Sequence, residues 1–63
     1  MNNIKKFRLE QNITLEKLSK ETGISIGYLC HLEKGTRNNP TLKIMKTISS
    51  TLHKTIDEVF CLV

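Results

Sequence analysis

The sequence predicts an all-α fold, with five short helices in a single domain over residues 1–63. Apolar residues recur three and four positions apart, which places them on one face of a helix. No segment alternates apolar and polar residues as a half-buried strand would. Capping residues, glycines and one proline divide the chain into five such segments. A chain of this length forms one small core and has no room for a second one.

The first helix follows two asparagines near the start of the chain. Asn2 or Asn3 can act as its N-cap, and Ile4 and Phe7 share its apolar face. The polar residues 10–12 are expected to end it.

The second helix begins at Thr14, whose hydroxyl suits an N-cap, and Glu16 places a carboxylate at the positive end of the helix dipole. Leu15 and Leu18 form its apolar face. Gly23 is expected to take the left-handed conformation that ends many helices.

The third helix is predicted from Ser25, its N-cap, to Gly35, which follows its last residue. Leu29 and Leu32 lie three residues apart and are expected to face inward. Residues 14–35 thus form two amphipathic helices joined by a tight turn, which is the pattern of a helix-turn-helix.

Residues 36–40 are a loop by composition, because Pro40 prevents a helix from continuing through them. Thr41 caps a fourth helix, and Ser49 within it is expected to serve close helix packing. A buried stripe with steps of three, three and four residues is predicted along this helix, at Leu42, Met45, Ile48 and Leu52. Thr55 and Glu58 have the spacing of a capping box, so a short fifth helix starts there.

The charge balance is basic, at +4, with a sequence pI near 9.3. A basic domain attracts polyanions such as DNA, although the same charge also serves solubility. The three aromatic residues, Phe7, Tyr28 and Phe60, are spread along the chain. They form no stacking platform of the kind that single-strand and RNA readers use.

The cysteines and histidines lack the spacing of a metal site, since Cys30 and Cys61 are far apart and Cys30 and His31 are adjacent. No nucleophile–base pair or phosphate-binding glycine loop is present, so we expect no enzyme activity, cofactor or small-molecule ligand. Sparse cysteines, without a signal peptide or a long apolar run, indicate a cytoplasmic protein and no membrane partner.

Five segments, in order, resemble the Cro and phage-repressor type of helix-turn-helix proteins, the XRE family. They are IKKFR, ITLEKLSKETGIS, YLCHLEKG, RNNPTL and TIDEVF, and they span about residues 4–60. The resemblance implies a lambda-repressor-like fold and double-stranded DNA as partner. It also implies a transcriptional regulator, with a dimeric repressor on a palindromic operator as the expected form.

The resemblance also implies that the third helix enters the major groove, where a helix fits and reaches base edges. The positions that match the family's base-reading sites are Ile26, Gly27 and His31, with Tyr28 nearer the phosphates. The full set of expected DNA contacts is Ser25, Ile26, Gly27, Tyr28, His31, Lys34, Thr36, Arg37, Asn38 and Asn39. The basic and polar residues after the helix are expected at phosphate oxygens, Arg37 and Asn38 foremost.

The sequence departs from the family at several of these positions. The family has long polar residues where Ile26 and Gly27 stand, and commonly Gln where Leu15 stands. Ile26 can pack on a thymine methyl group, and Gly27 lets the backbone come close. His31 is therefore the strongest candidate for direct base readout; the alternative is a solvated residue without a role. The same departures favour a second hypothesis, a protein-interaction module that keeps the fold and reads few bases.

Two further expectations concern structure around the site. Arg8 matches a family position that pairs with the Glu near the end of the third helix, here Glu33; the alternative is two independent surface charges. His53 and Lys54 replace a glycine and an apolar residue of the family pattern. His53 can still take the left-handed conformation, whereas Lys54 removes an expected hydrophobic contact of the fifth helix.

The dimer surface is expected at the apolar C-terminal segment, because little else in the chain covers it. The alternative is that this segment packs on the core of its own monomer. The residues assigned to the interface are Ile56, Val59, Phe60, Leu62 and Val63.

Overall fold

The computed structural model describes residues 2–36 and 39–61, and all regular structure in these two ranges is helical. The five helices are α1 (Ile4–Glu10), α2 (Leu15–Thr22), α3 (Ile26–Lys34), α4 (Leu42–Thr51) and α5 (Ile56–Phe60). Among the described residues, none of these helices has the length and apolar character needed to cross a membrane. Four residues with predicted roles, Arg37, Asn38, Leu62 and Val63, lie outside the described ranges.

The predicted N-caps of the last four helices are confirmed. In each, the Ser or Thr hydroxyl accepts a hydrogen bond from the backbone N–H three residues later, and the caps are Thr14, Ser25, Thr41 and Thr55. The capping box of α5 is complete, because Glu58 Oε1 accepts from the backbone N–H of Thr55 at 2.9 Å. In α1 the cap position is Asn3, but Asn2 supplies the side-chain acceptor, to the Ile4 N–H at 3.1 Å.

The predicted helix ends are also present. Gly23 and Gly35 have φ angles of 75° and 78° and follow α2 and α3 directly. His53 adopts φ 58° just after α4, in the place where the family pattern has glycine. These three residues therefore have the left-handed backbone conformation at the positions where the sequence predicted a helix to end.

The core is formed by apolar side chains from all five helices. They are Ile4, Phe7, Leu18, Leu29, Leu32, Ile48, Leu52 and Val59. Val59 is fully buried, so its assignment to a dimer surface is wrong: at this residue the segment packs on its own monomer.

The buried stripe predicted along α4 is wrong at its first residue. Leu42 is 59% exposed and Met45 is only half-buried, whereas Ile48 and Leu52 are fully buried. Leu42 lies in the first turn, at the edge of the face centred on Ile48, and Ile44 packs against the core instead.

The ends of the described chain are joined through α1 and α5. The backbone N–H of Asn3 donates to the Val59 carbonyl at 2.6 Å, and its side-chain Nδ2 donates to the Glu58 carbonyl at 2.8 Å. Lys54 replaces the missing apolar contact by placing its Nζ 4.7 Å from the centre of the Phe7 ring. This is a cation–π contact, so the fifth helix is docked in spite of the departure.

Candidate nucleic-acid interface

The turn between α2 and α3 is held by side-chain hydrogen bonds to the backbone. The Ser19 hydroxyl donates to the Ile24 carbonyl. The Thr22 hydroxyl donates to the Leu18 carbonyl at 2.7 Å and accepts from the Ile24 N–H at 3.2 Å. Together with the left-handed Gly23, these bonds fix how α3 leaves α2. These bonds were not predicted from the sequence, although hydroxyl residues in the last turn of a helix are the signal for such bonds.

The third helix has one face in the core and one in solvent. Leu29 and Leu32 are buried against the other helices. Gly27, His31 and Lys34, spaced four and three residues apart, are all exposed and share the opposite face. Ile26, at the start of the helix, is 44% exposed. The residues expected to read bases are therefore together on one accessible surface.

Of the other expected DNA contacts, Ser25, Tyr28, Thr36 and Asn39 lie among the described residues. Ser25 is exposed, and its hydroxyl is used as the cap of α3. Thr36 and Asn39 are exposed in the loop that follows. Tyr28 is half-buried and packs against the core, so only part of its side chain faces outward.

The C-terminal end of α3 is closed by Gly35 and Thr36. The Gly35 N–H donates to the Leu32 carbonyl at 3.2 Å, and the Thr36 N–H donates to the His31 carbonyl at 3.0 Å. This pair of bonds is a Schellman motif. It brings the Thr36 hydroxyl to 2.9 Å from Nδ1 of His31. His31 is thus exposed, but its ring has a partner within the domain.

Arg8 and Glu33 form the ion pair that the resemblance implied. Arg8 Nε lies 2.7 Å from Glu33 Oε2, and Arg8 Nη2 donates to Glu33 Oε1 at 3.2 Å. Both side chains are about nine-tenths buried, which contradicts the alternative of two independent surface charges.

Asn2 holds the same helix from another direction. Its Nδ2 donates to the Leu32 carbonyl at 2.8 Å, which satisfies a carbonyl near the end of α3. From the sequence, Asn2 was predicted only as a possible N-cap. Nothing in its local sequence indicates a partner thirty residues away.

Positive charge also lies on the exposed surface of α2. Thr14, Glu16, Lys17 and Lys20 line a shallow, open depression at the start of that helix. Both lysines are exposed. They were not among the expected contacts, although lysines three residues apart on the solvent side of such a helix are a readable signal.

The described residues offer no grouping of three or more His, Cys, Asp or Glu side chains that could hold a metal. Cys30 is half-buried and Cys61 exposed, and neither is in a disulfide. The candidate site is therefore the exposed face of α3, with cationic and polar residues in and after the helix.

Comparison with known proteins agrees with this geometry. A family model described as Helix-turn-helix matches residues 4–59. The HTH-type transcriptional regulator SlrR of Bacillus subtilis (strain 168) is 32% identical over 57 residues. That alignment covers 90% of this chain and 38% of SlrR, so the chain spans well under half the length of this relative. No solved structure gives a significant match.

Proposed function

This chain belongs to the XRE-type helix-turn-helix family, and from that membership we propose that it is a sequence-specific, double-stranded-DNA-binding regulator of transcription. In its expected form it is a cytoplasmic repressor that binds a palindromic operator as a homodimer. The role consists of binding and includes no reaction.

The observation that carries the proposal is the exposed face of α3. Gly27, His31 and Lys34 are accessible on a helix whose opposite face is locked into the core. Arg8 and Asn2 fix the orientation of the helix from α1 and from the residues before it. A rigid helix presented in this way has the shape that the major groove accepts.

Phosphate contacts are proposed around that face. Lys34 supplies a cation at the end of the helix, Thr36 and Asn39 supply polar groups, and Arg37 and Asn38 are proposed beside them from the resemblance. Lys17 and Lys20 add exposed positive charge on α2. Such contacts set affinity and register, and they make binding depend on salt.

The dimer is proposed from the exposed parts of the C-terminal segment. Ile56 and Phe60 are half-buried and leave apolar surface in solvent, and Leu62 and Val63 would extend it. A two-fold dimer places two recognition helices about 34 Å apart, one turn of DNA, which suits a palindrome.

A mobility-shift titration on random duplex DNA at two salt concentrations tests the proposal. We expect tighter binding at low salt, with log Kd changing linearly with log salt. Lys34→Ala should reduce the slope by about one. The control is Lys6→Ala, which removes the same charge beside the Phe7 ring on α1. Equal slopes for the two variants would contradict a phosphate contact at Lys34.

Selection of bound duplexes from a random pool tests the finer claims. A palindromic consensus supports the dimer, and a consensus without symmetry contradicts it. Analytical ultracentrifugation of Phe60→Glu then tests the proposed dimer surface, because a buried charge at this position opposes association.

The protein-interaction module is retained as the second candidate because Ile26 exposes apolar surface at the front of α3 and Gly27 presents no side chain. Absence of binding to random duplex at low salt would favour it over DNA binding.

A further inference from the structure

The contact between His31 and Thr36 determines which ring nitrogen of His31 carries the proton. Because Gly35 has φ 78°, the chain folds back over the last turn of α3 and Thr36 N–H bonds to the His31 carbonyl. The Thr36 hydroxyl oxygen then lies 3.1 Å from that carbonyl oxygen and 2.9 Å from Nδ1 of the same residue. One hydroxyl thus contacts both the backbone and the ring of His31.

The hydrogen count decides the direction of these two bonds. A threonine hydroxyl has one hydrogen to donate, and a carbonyl oxygen can only accept. Two oxygens 3.1 Å apart repel unless a hydrogen lies between them, so the hydroxyl donates to the carbonyl. The hydroxyl oxygen then accepts, and Nδ1 must be the donor. A neutral imidazole has one N–H, so Nε2 of His31 presents a bare lone pair.

That lone pair is on the accessible side of the helix. His31 is exposed, and Nε2 lies across the ring from the nitrogen that Thr36 occupies. Gly27, one turn earlier on the same face, leaves the approach open, because, its chain neighbours apart, no side chain in the described part of the molecule lies within 4 Å of where its Cβ would be. A base edge can therefore reach Nε2 without displacing a side chain at this position.

We propose that Thr36 holds His31 in the Nδ1–H tautomer, so that α3 selects a base carrying an exocyclic amino group at the contacted position. In the major groove those groups are N6 of adenine and N4 of cytosine. Guanine presents the acceptors O6 and N7 there, and thymine presents the acceptor O4. An acceptor opposite the lone pair of Nε2 repels it and forms no hydrogen bond. The inference rests on the proposed DNA binding and assigns it a specificity; Thr36 acts as a positioning residue.

The tautomer is tested first, in the free protein. A long-range proton–nitrogen NMR spectrum at a pH where His31 is neutral distinguishes the protonated ring nitrogen from the bare one. We expect Nδ1 protonated in the unmodified chain and in Thr36→Ser, which keeps the hydroxyl. Thr36→Val removes the hydroxyl, keeps the β-branched shape and the backbone N–H, and should yield a mixture. A protonated Nε2 in the unmodified chain overturns the proposal.

Base preference is tested second, on duplexes selected from a random pool. The contacted position is the one whose preference is lost in His31→Ala. There we expect adenine or cytosine to be favoured over guanine or thymine by about fivefold, the value of one net hydrogen bond. Each variant's affinity for the site is divided by its own affinity for random duplex, so that a lost phosphate contact cancels.

When affinity for the selected site is divided by affinity for random duplex, Thr36→Ser should retain the base preference and Thr36→Val should lose most of it. An unchanged preference in Thr36→Val, or a preference for guanine or thymine, overturns the proposal. Failure to bind random duplex at low salt overturns DNA binding itself, and the NMR result still decides the tautomer.

Discussion

Arg8 and Glu33 join two helices by a bidentate ion pair, although they are 25 residues apart in the chain. A third Arg8 donor, Nη1, bonds the Ile13 carbonyl at 2.9 Å in the loop before α2. One guanidinium therefore connects α1, this loop and α3. The fork of an arginine matches a carboxylate in this way, and lysine cannot reproduce it.

Glu33→Ala should lower both the free energy of unfolding and the affinity for DNA. Removing the carboxylate leaves a buried guanidinium without its charge partner, which costs about 3 kcal/mol, much of the stability of a domain this small. Thermal melting followed by circular dichroism measures the loss. Glu21→Ala removes an exposed carboxylate from α2 and serves as the control. Unchanged melting of Glu33→Ala would contradict the role assigned to the pair.

Ser49→Ala should stabilise the domain. Ser49 is 2% exposed, and within the described residues its hydroxyl has no hydrogen-bond partner. Removing an unsatisfied buried hydroxyl, which leaves a methyl side chain, should contribute about 1 kcal/mol and raise Tm by about 4–8 °C in a domain of this size. Ser50→Ala is the matched control, because Ser50 is exposed on the same helix and reports helix propensity alone. Equal shifts in the two variants would show that the buried hydroxyl carries no penalty.

Gly27→Ala and Gly23→Ala should have opposite effects on stability. Apart from the local backbone and the two chain neighbours, no atom of residues 2–36 and 39–61 lies within 4 Å of where either new Cβ would be, so neither variant creates a clash there. Gly27 is inside α3, where alanine is favoured over glycine by about 0.5–1 kcal/mol. Gly23 has φ 75°, where a side chain costs about 1–2 kcal/mol. Urea unfolding of both variants checks the difference, and a loss of stability in Gly27→Ala would contradict it.

The stability of the domain should fall at acidic pH partly through Glu58. The backbone N–H of Thr55, then a side-chain hydrogen bond from Thr55 and the charge of Lys54, hold the pKa of Glu58 below its ordinary value. Because the folded pKa lies below the unfolded one, the stabilisation is full above the unfolded pKa. It is lost as pH falls through the folded pKa.

Glu58→Gln keeps a side-chain acceptor for the capping box and removes the titrating group. Its melting temperature should therefore fall less than that of the unmodified chain between about pH 5 and about pH 3. If the melting temperatures of the two proteins fall equally over this pH range, the acid sensitivity belongs to groups other than Glu58.

Local signals predicted the fold well because they act within a few residues. Thr14 and Ser25 start helices, and Gly23 and Gly35 follow helix ends, as their positions in the sequence indicate. The errors concern which face is buried. Leu42 fits the spacing of the apolar stripe but is exposed beyond the edge of the core. Val59, expected at a dimer surface, is buried in the core instead. Whether these side chains are buried depends on where the other helices end, and the periodicity of apolar residues in one helix carries no information about that.

The candidate site was predicted less completely. The resemblance supplied the partners Arg8 and Glu33, since no spacing rule joins residues that far apart. The bond between His31 and Thr36 was not predicted, because it depends on how the chain turns at Gly35. The hydrogen bonds of Asn2 and Ser19 are equally matters of tertiary position.

The division of α3 into two faces has a consequence for how such a protein can diversify. Leu29 and Leu32 fix the helix in the core, while Ile26 and Lys34 contribute little to that packing. Substitutions on the outer face can therefore accumulate at small cost in folding free energy and, with the proposed function, redirect the protein to other operators. His31 is the exception, because its ring is bonded to the residue that closes the helix. A change there alters the reading surface and the helix end together.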